Sequence, residues 1–168
     1  MNNDTVKHVP LYVQCILLGG LLYLCFLLQS APNNIFGVRP ALLVALTLCM
    51  GLLYGEIAGG VVGFVSGMLM DLYVTPSVNF NAVTLALLGI LCGLAINRLF
   101  MNNTLSALVL CFVGSFLYFF LYWLLFRVIL GDGGAWIYFY SFTLPSAVYT
   151  GAFGVVFFPL LRWFRRHA

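Results

Sequence analysis

Charged residues are scarce in this sequence, and their scarcity excludes a large class of proteins. The chain has seven lysines and arginines and four aspartates and glutamates among 168 residues, so that 7% of it is charged and 64% is hydrophobic. A soluble domain carries about 25% charged residues. The composition therefore predicts an all-α integral membrane protein, a single domain over residues 1–168 built as a bundle of about six transmembrane helices.

Groups that could assemble a catalytic or metal centre are also sparse. The five cysteines all lie in apolar runs without a C-x-x-C pair, and His8 and His167 lie at opposite ends of the chain. No lysine lies among the glycines, which excludes a phosphate-binding loop. We therefore expect no enzymatic activity, cofactor, metal ion or nucleic-acid partner, and membrane lipid as the surroundings.

The apolar runs are separated by short polar links. One run, from Pro40 to Tyr73, would form a helix about 51 Å long, although the hydrocarbon core of a bilayer is about 30 Å thick. We therefore expect it to break at Gly55-Glu56, where a flexible backbone meets a charge that prefers the interface. The six predicted spans are approximately 11–28, 40–54, 57–74, 82–100, 105–130 and 142–161.

Basic residues predict the orientation of these spans. An even number of spans places both termini on the same side, and cytoplasmic loops carry the excess of lysine and arginine. With cytoplasmic termini, the basic residues outside are Arg39 and Arg127. Those inside are Lys7, Arg98, Arg162, Arg165 and Arg166. The sequence thus predicts a multi-pass membrane protein with both termini in the cytoplasm.

Glycines recur at every fourth residue on the second and third spans. The series is Gly51, Gly55, Gly59, Gly63 and Gly67, and Asp71 takes the next place. Small residues at this spacing let two helix backbones approach closely in a bilayer. Because the run breaks near Gly55, only the last three glycines and the acid share one helix. The fourth span carries another pair of glycines at the same spacing. The glycines predicted to pack helices or to bind a partner are Gly59, Gly63, Gly67, Gly89 and Gly93.

Asp71 is one of only four acidic residues, and it falls near the outer end of the third span. Arg39 falls at the outer start of the second span, at a similar depth. An unpaired charge at mid-membrane costs about 2.5–3.5 kcal/mol on insertion scales and less near the interface. We therefore expect Arg39 and Asp71 to approach each other as a polar anchor. The alternative is two separately solvated charges at the interface.

The third span resembles a signature of the rod shape-determining protein MreD family. Residues 59–72, GGVVGFVSGMLMDL, are similar to the family's Gly-Phe-x-x-Gly-x-x-x-Asp pattern. The matching residues are Gly63, Phe64, Gly67 and Asp71.

Two other segments extend this resemblance. Residues 36–48, FGVRPALLVALTL, are similar to the family's entry to its second helix, where Pro40 matches a proline. Residues 144–166 resemble the last helix, where Pro145 and Tyr149 precede a basic end. Ala41 departs from the pattern, because the family often has aspartate after the proline.

The resemblance implies a non-enzymatic component of the bacterial cell-elongation complex, which supports cell shape and peptidoglycan synthesis. Its partners would be MreC and, through the complex, MreB, RodA and a penicillin-binding transpeptidase. Short loops and extensive helix-packing surface fit such an assembly part. The sequence identifies no small-molecule ligand.

Two other classes of protein stay open. Substrate-binding subunits of energy-coupling-factor vitamin transporters are six-helix proteins of this size, and MreD-like proteins resemble them in fold. Such a subunit usually shows Ala-x-x-x-Ala on its first helix for docking a transport partner, whereas this helix has Gly19-Gly20 among bulky residues. A small ion or drug transporter would need more buried ionisable groups than one aspartate and one arginine.

Overall fold

The computed structural model describes residues 11–30, 41–74, 80–99, 104–129, 131 and 133–167. Within these ranges every regular element is helical: α1 (Leu11–Ser30), α2 (Leu42–Tyr54), α3 (Glu56–Val74), α4 (Phe80–Leu99), α5 (Thr104–Trp123), α6 (Ala135–Tyr138) and α7 (Leu144–His167). Two π-helical segments, Leu124–Val128 and Phe139–Thr143, extend α5 and join α6 to α7. The described residues therefore form six continuous helices.

Large apolar side chains cover the outside of the bundle as well as its core. Exposed examples are Leu24 on α1, Leu72 on α3, Leu87 on α4, Val113 on α5 and Val156 on α7. Soluble monomers rarely expose apolar surface on this scale. Over the described residues, the continuous helices Leu108–Val128 and Ala135–Trp163 are long and apolar enough to cross a bilayer. The predicted all-α membrane bundle of about six helices is confirmed, whereas the span boundaries stay predictions because helix ends need not coincide with the edges of a bilayer.

α2 is the centre of the bundle. Its residues from Leu42 to Leu53 are all buried, and it contacts α1, α3, α4, α5 and α7. A helix that is apolar on all sides is typical of such a fully surrounded position. At 13 residues α2 is about 20 Å long, whereas the 19 residues of α3 span about 28 Å.

A single residue, Gly55, joins α2 to α3. Its φ of 91° lies in the left-handed region, which glycine adopts without the steric cost that a side chain brings. The chain reverses there, and α2 packs antiparallel to α3. The reversal falls where the length of the apolar run predicts a break.

The two ends of the bundle are named here by the acidic residue found at each. The Asp71 end contains the last turn of α3 and the first turn of α4, and the Glu56 end contains the turn between α2 and α3. Hydrogen bonds from Tyr118 to Asn81 and from Trp123 to the Ala135 carbonyl bring the end of α5 and the start of α6 to the Asp71 end.

The sixth continuous helix changes pitch just before a proline. Pro145 lies in the first turn of α7, directly after the π-helical segment Phe139–Thr143. A proline inside a helix removes one N–H and crowds the carbonyl four residues earlier. We attribute the wider π-helical turn to this disruption.

Candidate functional site at the Asp71 end

Close contact between the backbones of α3 and α4 forms a glycine seam, which consists of Gly59, Gly63, Gly67, Gly89 and Gly93. A Cβ built on Gly59 would lie 2.5 Å from the Gly89 carbonyl oxygen. A Cβ on any of the other four glycines would meet backbone atoms of the opposite helix as closely. No larger residue fits at these positions unless a helix backbone moves, so the structure brings all five predicted glycines into one interface within the chain.

Asp71 continues the glycine seam and caps α4. Its carboxylate accepts hydrogen bonds from the backbone N–H of Asn81 at 3.2 Å and of Ala82 at 2.9 Å. It also accepts one from Asn81 Nδ2 at 2.9 Å. The first N–H groups of a helix have no partner within the helix, and the positive end of the helix dipole lies there. The buried carboxylate is therefore stabilised by donors and by a partial positive charge.

A polar chain of Asp71, Asn81 and Tyr118 crosses three helices. Tyr118 on α5 donates a hydrogen bond to Asn81 Oδ1 at 2.8 Å, and Asn81 binds Asp71 on α3. Asn81 and Tyr118 are each only 3% exposed. Sequence reasoning missed both residues. In the case of Asn81 the reason is that the predicted fourth span begins at residue 82, whereas α4 begins at Phe80. An asparagine just before an apolar run is a helix-start signal that could have found Asn81.

Side chains from α1 and α7 cap the start of α2. The Leu43 N–H donates to Gln29 Oε1 at 3.1 Å, and the Ala41 N–H donates to Thr150 Oγ1 at 3.2 Å. A bilayer offers no water to such groups, and each one left unpaired costs several kcal/mol. The two side chains therefore replace the water that would solvate a helix start in a soluble protein.

An aromatic cluster lies beside the polar chain at the same end. Its members are Phe80, Tyr122, Trp123, Phe126, Trp136, Tyr138, Phe139 and Phe142. The ring centroids of Phe80 and Phe126 are 5.2 Å apart, and those of Trp123 and Phe139 are 4.8 Å apart. Tilted and edge-to-face pairs at such distances contribute about 0.5–1.5 kcal/mol beyond the burial of their area. The cluster joins the first turn of α4 to the end of α5 and the start of the sixth continuous helix.

Polar contacts fix the aromatic cluster as well. The guanidinium carbon of Arg127 lies 4.0 Å from the ring centroid of Tyr138, which is a cation–π contact. Trp123 Nε1 donates a hydrogen bond to the Ala135 carbonyl oxygen at 2.7 Å. These contacts hold the end of α5 against α6.

The central helix stops short at the Asp71 end. α2 and α3 share the turn at Gly55, and α3 is longer by 19 − 13 = 6 residues, or about 9 Å. The last turns of α3 therefore extend beyond the start of α2. We call the region beyond the start of α2, at the end where the polar chain and the aromatic cluster lie, the recess.

The recess has the chemistry to bind a planar aromatic molecule with polar substituents. Rings of the aromatic cluster offer stacking surfaces, and Thr143 and Ser146 are buried hydroxyls on the sixth continuous helix. The buried hydroxyls of Ser66 and Ser115 find no hydrogen-bond partner within the described ranges. Buried polar groups are normally paired, and both of these hydroxyls are fully enclosed, one on α3 and one on α5. In the same ranges, no three histidine, cysteine or acidic side chains are grouped to hold a metal ion.

The remaining predicted site residues lie elsewhere. Arg39 and Pro40 are outside the described residues, so the predicted anchor with Arg39 stays a prediction. Phe64 is 48% exposed on α3. Pro145 and Tyr149 are half-buried on α7 and belong to neither the polar chain nor the aromatic cluster.

Comparison with known proteins identifies a family. The family model of the ECF-type riboflavin transporter S component matches residues 30–165. Among curated proteins and among solved structures, no match was found. The matched range contains the glycine seam, the polar chain and the aromatic cluster.

The expected membership of the MreD family is wrong, as are the expected role in cell elongation and the expected partners MreC, MreB, RodA and a penicillin-binding transpeptidase. The structure explains why the motif misleads. Gly63 and Gly67 pack α3 against α4, and Asp71 caps α4. Small residues are common wherever membrane helices pack closely, and a capping side chain is a common way to satisfy a helix start, so these residues do not distinguish one family of bundles from another. The alternative reading, a substrate-binding subunit of an energy-coupling-factor transporter, is the one that the family model supports.

The objection to that alternative concerned a part of the chain that the match leaves out. It rested on Gly19-Gly20 in place of an Ala-x-x-x-Ala pattern on α1, but the match begins at residue 30, the last residue of α1. Such components are multi-pass proteins of the cytoplasmic membrane, in agreement with the apolar surface of this bundle. Because the match covers residues 30–165 of 168, the chain belongs to the family of ECF-type riboflavin transporter S components.

Proposed function

We propose that this chain is the substrate-binding subunit of an energy-coupling-factor transporter and that its substrate is riboflavin. The observation that carries the proposal is the family match over residues 30–165. We further propose that the chain binds and releases riboflavin without enzymatic activity, and that its partner is the energy-coupling module of the transporter.

The proposed binding site is the recess at the Asp71 end. Riboflavin combines a flat three-ring system with a chain of hydroxyl groups. Tyr122, Trp123 and Tyr138 of the aromatic cluster are suited to stack on the rings. Thr143 and Ser146 are suited to hydrogen-bond the hydroxyl chain, because a buried hydroxyl can both donate and accept.

The proposed orientation has the Asp71 end outside and both termini in the cytoplasm. This orientation keeps the C-terminal basic residues inside, as the positive-inside rule requires. It also opens the recess toward the side from which a vitamin arrives. The glycine seam then runs across the membrane, and we propose that its role is to hold α3 against α4 rather than to bind the partner.

Riboflavin fluorescence tests the proposal directly. Purified protein in detergent is titrated into riboflavin, whose emission is quenched when its rings stack on aromatic side chains. We expect saturable, one-to-one quenching that excess unlabelled thiamine or biotin does not reverse. Saturable binding of a different vitamin, with no quenching of riboflavin, would contradict the proposed substrate.

Uptake by cells tests the transport role. A riboflavin auxotroph without its own transporter is given this chain together with an energy-coupling module. We expect growth at low external riboflavin only when both parts are present. Growth with this chain alone would indicate a transporter that works without an energy-coupling partner.

A further inference from the structure

Buried thiols from different helices lie in the core of the bundle, and two of them are in contact. Cys49 of α2, Cys92 of α4 and Cys111 of α5 are free and buried. Cys49 Sγ lies 3.7 Å from Cys111 Sγ and 3.7 Å from the carbonyl oxygen of Gly154 on α7. Cys49 and Cys111 are separated by 62 positions, so no local sequence pattern shows their contact. It joins α2, which packs on the glycine-seam helices, to α5, which carries much of the aromatic cluster.

The two sulfur atoms need little movement to form a bond. A disulfide has an S–S length of about 2.05 Å, so a separation of 3.7 Å would have to close by about 1.6 Å. Cys111 also packs closely on Gly154, because a Cβ at that position would lie 3.3 Å from Cys111 Sγ.

We propose that Cys49 and Cys111 form an oxidation site, at which a lipid-soluble quinone converts the two thiols into a disulfide between α2 and α5. The two S–H bonds break and one S–S bond forms, while the quinone takes up two electrons and two protons and becomes a hydroquinone. Because both thiols are buried inside a membrane bundle, the oxidant must partition into lipid, and the contact between α2 and α5 must open to admit it. The disulfide then limits further movement between these helices.

The site itself does not rest on the proposed function, although its consequence for riboflavin binding does. A bond between α2 and α5 fixes α5, which carries part of the aromatic cluster, relative to α2 at the centre of the bundle. Oxidation is therefore expected to change the rate at which riboflavin enters and leaves.

Mapping of the bond is the first test. The purified full-length protein is treated with molecular iodine or a fully substituted benzoquinone, denatured, alkylated with a maleimide and examined by peptide mass spectrometry. We expect a disulfide between Cys49 and Cys111 in the wild type and in Cys92→Ala, and none in Cys111→Ala. The proposal is overturned if the two thiols stay reduced under conditions that oxidise them in the denatured chain. Pairing of either thiol with Cys25 or Cys92 would overturn it as well.

Thermal unfolding separates a native bond from one formed in unfolded protein. A cross-link between distant positions restricts the unfolded chain, so the oxidised wild type should melt at a higher temperature than the reduced protein. A reductant should reverse the increase, and Cys111→Ala should show none. An oxidised protein that melts at or below the temperature of the reduced one would overturn the proposal.

Stopped-flow riboflavin binding on the same samples tests the consequence. Slower association and dissociation in the oxidised wild type, restored by reductant and absent in Cys111→Ala, would support the proposed restriction. Equal rates would contradict it. A lack of binding in the reduced protein would count against the proposed function and leave a mapped disulfide unaffected, so the two failures can be told apart.

Discussion

The glycine seam and the aromatic cluster hold neighbouring helices together in opposite ways. In the seam, α3 and α4 meet through backbone atoms, and five positions leave no room for a Cβ. In the cluster, the end of α5 meets the sixth continuous helix through large rings, and both helices change to π-helical geometry nearby. Contact through backbone tolerates almost no rearrangement, whereas ring contacts can re-form in several ways. The comparison indicates one half of the bundle joined by backbone contacts and another joined by side chains.

The largest effect is expected where a side chain is forced into the seam. Gly63→Leu or Gly89→Leu should prevent folding, because the added atoms meet backbone rather than flexible side chains. Overpacking costs about 1–3 kcal/mol even where side chains can move. Size-exclusion chromatography in detergent should show aggregated or absent protein.

Gly20→Leu is the matched control for the seam. Gly20 also lies inside a helix, but a Cβ there would meet nothing within 4 Å. We expect this variant to accumulate and elute like the wild type. Equal behaviour of the Gly20 and Gly63 variants would show that close backbone contact in the seam is not required for folding.

Removal of the carboxylate at the end of the seam is expected to have the next largest effect. Asp71→Leu leaves two N–H groups at the start of α4 and the Asn81 amide without acceptors. An unsatisfied buried donor costs about 1–3 kcal/mol, so the melting temperature should fall clearly. Asp71→Asn keeps one acceptor oxygen and should fall between Asp71→Leu and the wild type. A melting temperature of Asp71→Leu equal to that of the wild type would show that the cap contributes nothing.

A change in the aromatic cluster should affect binding more than folding. Tyr138→Leu removes one stacking surface and the ring beneath Arg127. We expect riboflavin to bind about tenfold more weakly, which corresponds to about 1.4 kcal/mol, with little change in melting temperature. Tyr23→Leu is the control, because Tyr23 lies on α1 outside the aromatic cluster and is 62% exposed. Equal losses of affinity in the two variants would show that the cluster has no special part in binding.

The smallest effect is expected when the hydrogen bond between α5 and α4 is removed. Tyr118→Phe removes one hydroxyl and with it the hydrogen bond to Asn81. This leaves the buried Asn81 Oδ1 without its donor, which costs about 1–3 kcal/mol, but only one polar group is affected, and Asn81 Nδ2 keeps its bond to Asp71. A slightly lower melting temperature is expected. If Tyr118→Phe instead melts as low as Asp71→Leu, the two halves depend on each other more than the comparison states.

The fold class could be predicted because it follows from quantities that a sequence carries directly. Composition excludes a soluble domain, and the length of the second apolar run requires a reversal, which Gly55 makes. The start of the sixth continuous helix is harder to predict from the sequence. Its first residues form an aromatic stretch that is typical of an interface, and only contacts such as that of Trp123 with Phe139 show them to be a helix packed on α5.

The candidate site was predictable only in part. Spacing singled out the seam glycines and Asp71, because a helix converts spacing into a shared face. The partnership of Asn81 with Tyr118 spans 37 positions and leaves no local trace. The family was misassigned for a related reason, since the quoted residues report how two helices pack and not what the bundle binds.

The capping of α2 has a consequence for how the protein enters its membrane. Thr150 accepts the N–H of Ala41 across 109 positions of sequence. During synthesis α2 is therefore made long before this acceptor exists, and at about 20 Å it is too short to cross the bilayer core alone. The Ala41 N–H gains this acceptor only after α7 has been inserted, whereas Gln29 of α1 is already present to accept from Leu43. The cap on α2 is therefore completed only by the last helix. A chain truncated before Thr150 should leave the Ala41 N–H, at the start of α2, without its acceptor.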